Sequence, residues 1–216
     1  MRAAYRRTAS ARKALDRLDR VNSTAYIRHM VSSEAPRAKV VWTYDDYRQM
    51  PDDGRRYEVI EGEIYVTPAP TISHQTASKR IQTELILQLE RTGKAVVYDA
   101  PVDVIMSPTR VVPPDIVVVA TKRRNLVSER GIEGAPDIIV EILSPGTASV
   151  DRGAKQKLYA AAGVREYWLV DPQAHVVQVL ALRGDGYQEH GNFGPGQRIT
   201  SGLFDLSLAV DEVFAP

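Results

Sequence analysis

The sequence predicts an α/β domain, and three observations carry that reading. Residues 116–119 (Ile-Val-Val-Val) and 137–143 are apolar on both faces, as in strands of a sheet covered on both sides. Residues 74–91 set Ile81, Leu85 and Leu89 on one helical stripe, with Ile86 beside it. Gly93 and Gly163 stand where the two main helices should stop.

The elements follow in chain order. Residues 1–29 are arginine-rich, with Arg2, Arg6, Arg7, Arg12, Arg17, Arg20 and Arg28 set against only Asp16 and Asp19. This segment is expected to be a disordered basic extension, and residues 30–216 a single domain. Thr43 is a good N-cap for a short helix through Tyr44, Tyr47 and Met50, which Pro51 and Gly54 break. Residues 57–60 and 63–67 form a predicted hairpin around Glu61-Gly62. After the long helix, residues 96–105 and 116–119 read as strands, followed by the basic run Lys122-Arg123-Arg124. Residues 137–143 are the next strand, residues 151–162 a helix, and residues 166–170 a short strand closed by Asp171-Pro172. A second hairpin is predicted over residues 175–182 and 187–193, around Gly184-Asp185-Gly186.

Composition removes several function classes. The 216 residues suit one domain with a tail, and 44% hydrophobic content suffices for a core. A net charge of +1 leaves any nucleic-acid contact to a local patch. The chain has no cysteine, which rules out disulfides, thiolate metal sites and a catalytic thiol. No apolar run approaches the ~20 residues of a membrane span, so a cytoplasmic protein without membrane contact is expected. The phosphate-loop, dinucleotide and nucleophile-elbow motifs are missing, and the four histidines lack zinc-ligand spacing.

What remains is a pattern of carboxylates on apolar strands. Pro114-Asp115 introduces one strand, and Glu141 sits inside Ile138-Ile139-Val140-Glu141-Ile142-Leu143. Ionised carboxylates in buried strands are costly unless a cation or several donors meet them. A divalent ion on oxygen ligands, Mg²⁺ or Mn²⁺, answers that need. The competing reading pairs Glu141 with an arginine and makes Asp115 a turn cap. Lys122, Arg123 and Arg124 would suit phosphate contacts after the Asp115 strand, or form a solvated loop.

The strings Tyr57-Glu58-Val59-Ile60-Glu61-Gly62-Glu63, Pro114-Asp115-Ile116, Asp137 to Pro145, Asp151-Arg152-Gly153-Ala154-Lys155, then Tyr159, and Gly163 to Pro172 resemble the Uma-two family. That family is similar to the PD-(D/E)XK nucleases, and the resemblance runs from Trp42 to Val213. It implies a restriction-endonuclease-like mixed central sheet flanked by helices, with additional β-hairpins. It also implies a Mg²⁺- or Mn²⁺-dependent endonuclease acting on nucleic acid, DNA in the first instance, and working as a homodimer. By residue, Asp115 matches the first aspartate and Glu141 the second acid, with the carbonyl of Ile142 as a third metal ligand. The strict pattern places lysine two residues after Glu141, where this chain has Leu143. Lys155, on the following helix, matches the place from which this family is thought to supply it, with Lys157 as the fallback. Glu58 is a further ligand candidate or an edge-strand charge. His74 is a phosphate contact or a helix cap. The displaced lysine also admits a noncatalytic nucleic-acid- or protein-binding module on the same fold.

Overall fold

The computed structural model describes residues 40–215 apart from Asp52 and Pro68. The basic extension at residues 1–29 lies outside the described residues. Thr43 caps helix α1 (Tyr44–Tyr47) in a capping box with Asp46. Strands β1 (Arg56–Ile60) and β2 (Glu63–Thr67) pair antiparallel around Glu61-Gly62, where both residues have positive φ. Helix α2 (Ile72–Leu85) starts at the Thr71 cap and continues as a π-turn, Ile86–Glu90.

The expected strand over residues 96–105 is in fact two. Strand β3 (Ala95–Asp99) ends at the cis Ala100–Pro101 bond, and β4 (Val104–Ser107) joins a different sheet. Pro101 lacks the amide proton a continuous ladder needs. Then come β5 (Arg110–Val112), β6 (Ile116–Ala120), the 3₁₀ segment Thr121–Leu126, β7 (Val127–Ser128) and β8 (Gly131–Glu133). Strand β9 (Ile138–Ile142) leads through α3 (Ala148–Val150), a π-turn (Asp151–Lys155) and α4 (Gln156–Ala162) into β10 (Glu166–Asp171). Gly163 closes α4 in the left-handed conformation, at φ 89°. Strands β11 (Val176–Arg183) and β12 (Gly186–Phe193) form the second expected hairpin. The chain closes with β13 (Arg198–Thr200), β14 (Ser207–Ala209) and α5 (Val210–Val213).

Two six-stranded sheets result, ordered β2-β1-β5-β4-β8-β7 and β12-β11-β10-β9-β6-β3, with β13 and β14 as a separate pair. Both sheets are mixed: β9 runs parallel to β10, and β4 parallel to β8. The second sheet is covered on both faces, as its apolar strands predict. On one face Ile81 and Leu85 of α2 and Leu89 of the π-turn that continues it pack with Ile116, Val118, Ile138 and Val140. On the other, Val104, Val112 and Ile132 of the first sheet and Leu158 of α4 pack with Val117, Val119 and Ile139. The alternation along β6 and β9 follows from the period of two in a strand.

One polar latch ties the C-terminal segment to the core. Glu166 is fully buried and accepts hydrogen bonds from Trp168 Nε1 (3.0 Å), Ser201 Oγ (2.8 Å) and Gly202 N (2.6 Å). All three partners donate to it, so a glutamine here would aim its own NH₂ at a donor. Glu166→Gln is therefore expected to destabilise the fold by about 2 kcal/mol. The measurement is the urea midpoint, and an unchanged midpoint would refute the latch.

Candidate active site

The site lies where β1, β6, β9 and the Asp151–Lys155 turn converge. Register places the two predicted carboxylates together. Strand β6 pairs with β9 so that Ile116 faces Val140 and Val117 faces Ile139, which brings Asp115 beside Glu141. The amide of Ile142 donates to Asp115 Oδ2 at 2.8 Å and closes that contact. Glu58 comes from the neighbouring sheet and is 3% exposed, so it is a buried member of the cluster and not an edge-strand charge.

Lys155 sits at the centre. Its Nζ lies 2.7 Å from Glu58 Oε1, 3.0 Å from Glu141 Oε1 and 3.2 Å from Asp151 Oδ1. The last contact is an ion pair without hydrogen-bond alignment, since Asp151 Oδ1 has no hydrogen-bond partner among the described residues. Lys157, two residues on, points to solvent. Tyr159, one turn after Lys155, donates to Glu141 Oε1 at 2.6 Å. The π-turn places Asp151 and Lys155 on one side of the helix, and such wide turns recur at functional sites.

The second half of the site surrounds Asp115. Arg56 Nη1 reaches Oδ1 at 3.2 Å, and His74 Nε2 reaches Oδ2 at 3.1 Å. His74 therefore orients a carboxylate, while the capping role belongs to Thr71. The other ring nitrogen, Nδ1, is buried without a partner among the described residues. Ser144 lines the same cleft and bonds to Thr147 Oγ1 at 3.0 Å.

Charge balance explains the protonation preferences. Burial opposes the ionisation of Asp115, but hydrogen bonds from His74 and the Ile142 amide, together with the Lys155 charge, hold it below the usual carboxylate range. Burial pushes Glu141 well above that range, and Lys155 offsets this only in part, because Asp151, Asp115 and Glu58 add to it. Glu58 and Asp151 are raised for the same first reason, burial. Burial pulls Lys155 down, yet Glu141, Glu58 and Asp151 outweigh it and keep the ammonium charged. One ammonium cannot neutralise three carboxylates. The cluster therefore holds more acids than bases, and without a further cation protons must make up the difference, as the raised Glu141, Glu58 and Asp151 express.

That deficit suits a hard divalent cation. Both donors to Glu141 fall on Oε1, so Oε2 takes no hydrogen bond among the described residues. The cleft that Asp115, Glu141 and Ile142 line holds about 30 Å³, space for a body the size of a water molecule. Its ligand candidates are all oxygens, as Mg²⁺ or Mn²⁺ prefers. Among the described residues no three acidic or imidazole groups already converge as a ligand cage, and the cation at the centre is Lys155 itself.

The basic run takes a different place. Lys122, Arg123 and Arg124 follow the far end of β6, roughly 20 Å from Asp115 at ~3.3 Å per residue. Arg123 is engaged in structure: it pairs with buried Asp137 at 3.1 Å and donates to the Ala135 carbonyl at 2.7 Å. Sequence reasoning missed Asp151, Tyr159 and Arg56 as members of the site. Asp151 carried a usable signal, four residues before Lys155 on one helix. Arg56 carried another, since Arg56 and Glu58 share a strand face.

Comparison with known proteins agrees with this architecture. A solved structure of a nuclease-like protein, described as "a putative nuclease belonging to DUF820" from Anabaena variabilis, superposes with a TM-score of 0.68 at 22% identity. The match covers 80% of this chain and 97% of that one. The uncharacterized protein slr1290 of Synechocystis sp. is 25% identical over 173 residues, 79% of this chain and 90% of that protein. The family model Uma2, described as "Putative restriction endonuclease", matches residues 44–211. The chain thus belongs to the Uma2 family of restriction-endonuclease-like proteins.

Proposed function

We propose that the protein is a Mg²⁺- or Mn²⁺-dependent endonuclease that hydrolyses phosphodiester bonds in DNA. The observation that carries this reading is the convergence of four buried acids, Asp115, Glu141, Glu58 and Asp151, on one cleft where Lys155 and Arg56 are the cations that meet them among the described residues. Asp115, Glu141 and the carbonyl of Ile142 hold the ion. When bound, it supplies Lewis-acid polarisation of a phosphoryl oxygen and a more acidic water.

The remaining chemistry belongs to the chain. Asp115 is held ionised by His74 and the Ile142 amide, and so is ready to act as a ligand at neutral pH. Lys155 orients the attacking water and stabilises charge developing at phosphorus. Glu58 and Asp151 fix the lysine in place, and Tyr159 fixes Glu141. A double-strand cut then requires two copies, as in a two-fold homodimer. No helix among the described residues is long and apolar enough to cross a membrane, which is consistent with a cytoplasmic role.

Purified protein incubated with supercoiled DNA and Mg²⁺ should cleave it, and chelator should stop the reaction. Asp115→Asn should lower the rate ~10³-fold while leaving the fold intact by circular dichroism. An active, folded Asp115→Asn would refute the assignment, and metal-independent binding without any cleavage would instead support a binding module.

Lys155→Met should abolish cleavage and leave three carboxylates facing one another. Its melting temperature should therefore rise more steeply with added Mg²⁺ than that of the wild type. Equal Mg²⁺ dependence in the two proteins would contradict the placement of the ion beside Lys155.

A further inference from the structure

A second cavity of about 510 Å³ adjoins the carboxylate cleft and shares Arg56 and Pro113 with it. Four arginines line it, Arg48, Arg55, Arg56 and Arg130, with Asp103 and Glu129; Arg55, Arg56 and Arg130 also meet Asp53 (3.6 Å), Asp115 (3.2 Å) and Glu133 (3.6 Å) through one nitrogen each, which leaves their other donors to the cavity. That convergence of like charge favours an anionic occupant. The wall is also aromatic. Tyr44 and Tyr47 stack at 6.2 Å between ring centroids, and the Arg130 guanidinium lies 4.9 Å from the Tyr44 ring. Arg48 lies 6.0 Å from the same ring. Tyr44 itself is buried beneath these groups, so the surface a base can lie against is the outer face of the guanidinium that Tyr44 supports.

Of the two carboxylates in the lining, Asp103 is the one that a tyrosine hydroxyl fixes. Asp103 Oδ1 takes a hydrogen bond from Tyr47 Oη at 2.6 Å, and Oδ2 takes none among the described residues. A carboxylate so fixed can accept from the exocyclic amine of a base, a donor that cytosine presents and thymine lacks. The volume falls within the range of small-molecule pockets and is far too small for a duplex. A base can enter such a pocket only after leaving its stack.

We infer that this cavity receives one unstacked, amino-bearing nucleotide of a strand whose neighbouring phosphate lies at the Asp115–Glu141 cleft. Nucleic acid as the occupant rests on the nuclease reading of that cleft. Arg56, which lines both cavities, holds the phosphate that joins them. The arginines supply charge, the Tyr44–Arg130 wall supplies stacking, and Asp103 reads the amine. The Lys122–Arg124 run at the far end of β6 takes no part in this pocket.

The test is fluorescence anisotropy of the full chain in chelator at fixed salt. The probes are labelled oligo-dC, labelled oligo-dT and a mixed-sequence duplex. Single strands should bind more tightly than duplex, and oligo-dC more tightly than oligo-dT. Replacing Arg48 and Arg130 together by alanine should weaken single-strand binding about tenfold. Asp103→Asn should erase the difference between the two homopolymers, and Lys79→Ala, which lines a separate cavity, should leave binding unchanged. Duplex bound as tightly as single strands, or affinity unaltered in the double-arginine variant, would overturn the inference. Parallel assays with Mg²⁺ keep the two claims separate. Cleavage together with cavity-independent binding overturns the pocket and leaves the nuclease. Cavity-dependent binding without cleavage supports the pocket and overturns the nuclease.

Discussion

A buried ammonium surrounded by acids organises this molecule. Lys155 is drawn out of water by the helix that carries it, and Glu58, Glu141 and Asp151 make that burial tolerable. The three acids come from three different elements: a strand of the first sheet, a strand of the second sheet and the π-turn between β9 and α4. Their convergence on one nitrogen therefore joins the two sheets and the helix at a single point. Breaking one partner of such a cluster is costlier than the pair is worth, because it strands charge in a low-dielectric setting.

Because that cluster gathers three acids around one base, the fold and the chemistry are linked. A core built for stability alone would place apolar side chains there, since buried ion networks gain little over well-packed hydrophobes. Here the surrounding packing is tight, with Ile142, Leu158 and Tyr167 at most 2% exposed. The polar island persists within it. Asp115 stands on the far side of Glu141, held ionised by its own donors, so the two acids differ in proton affinity though they are adjacent. That difference is set by partners: Asp115 meets an amide, an imidazole and a guanidinium, while Glu141 shares its lysine with two other acids.

Much of this was legible in the residues. The two-sided apolar runs at 116–119 and 137–143 became adjacent central strands, and their placement of Asp115 beside Glu141 followed from strand periodicity. Helix limits at Thr43, Gly93 and Gly163 rested on capping chemistry, which is local and reads well from sequence. The first sheet was not legible beyond its hairpin. Strands such as Arg110–Val112 and Gly131–Glu133 span three residues, too few to show a period, and they exist only because neighbours supply their ladder. Tertiary pairing also decided which charges matter. Lys122, Arg123 and Arg124 formed the conspicuous basic run, yet Arg123 neutralises Asp137, while the dispersed Arg48, Arg55, Arg56 and Arg130 meet in one cavity. No sequence window contains all four.

The central claim is that Asp115 and Glu141 together hold a divalent cation beside Lys155. Isothermal calorimetry of Mn²⁺ into wild type and Asp115→Asn tests it without any substrate. The account predicts saturable binding to the wild type that disappears in the variant. Equal binding to both proteins, or none to the folded wild type, would contradict it.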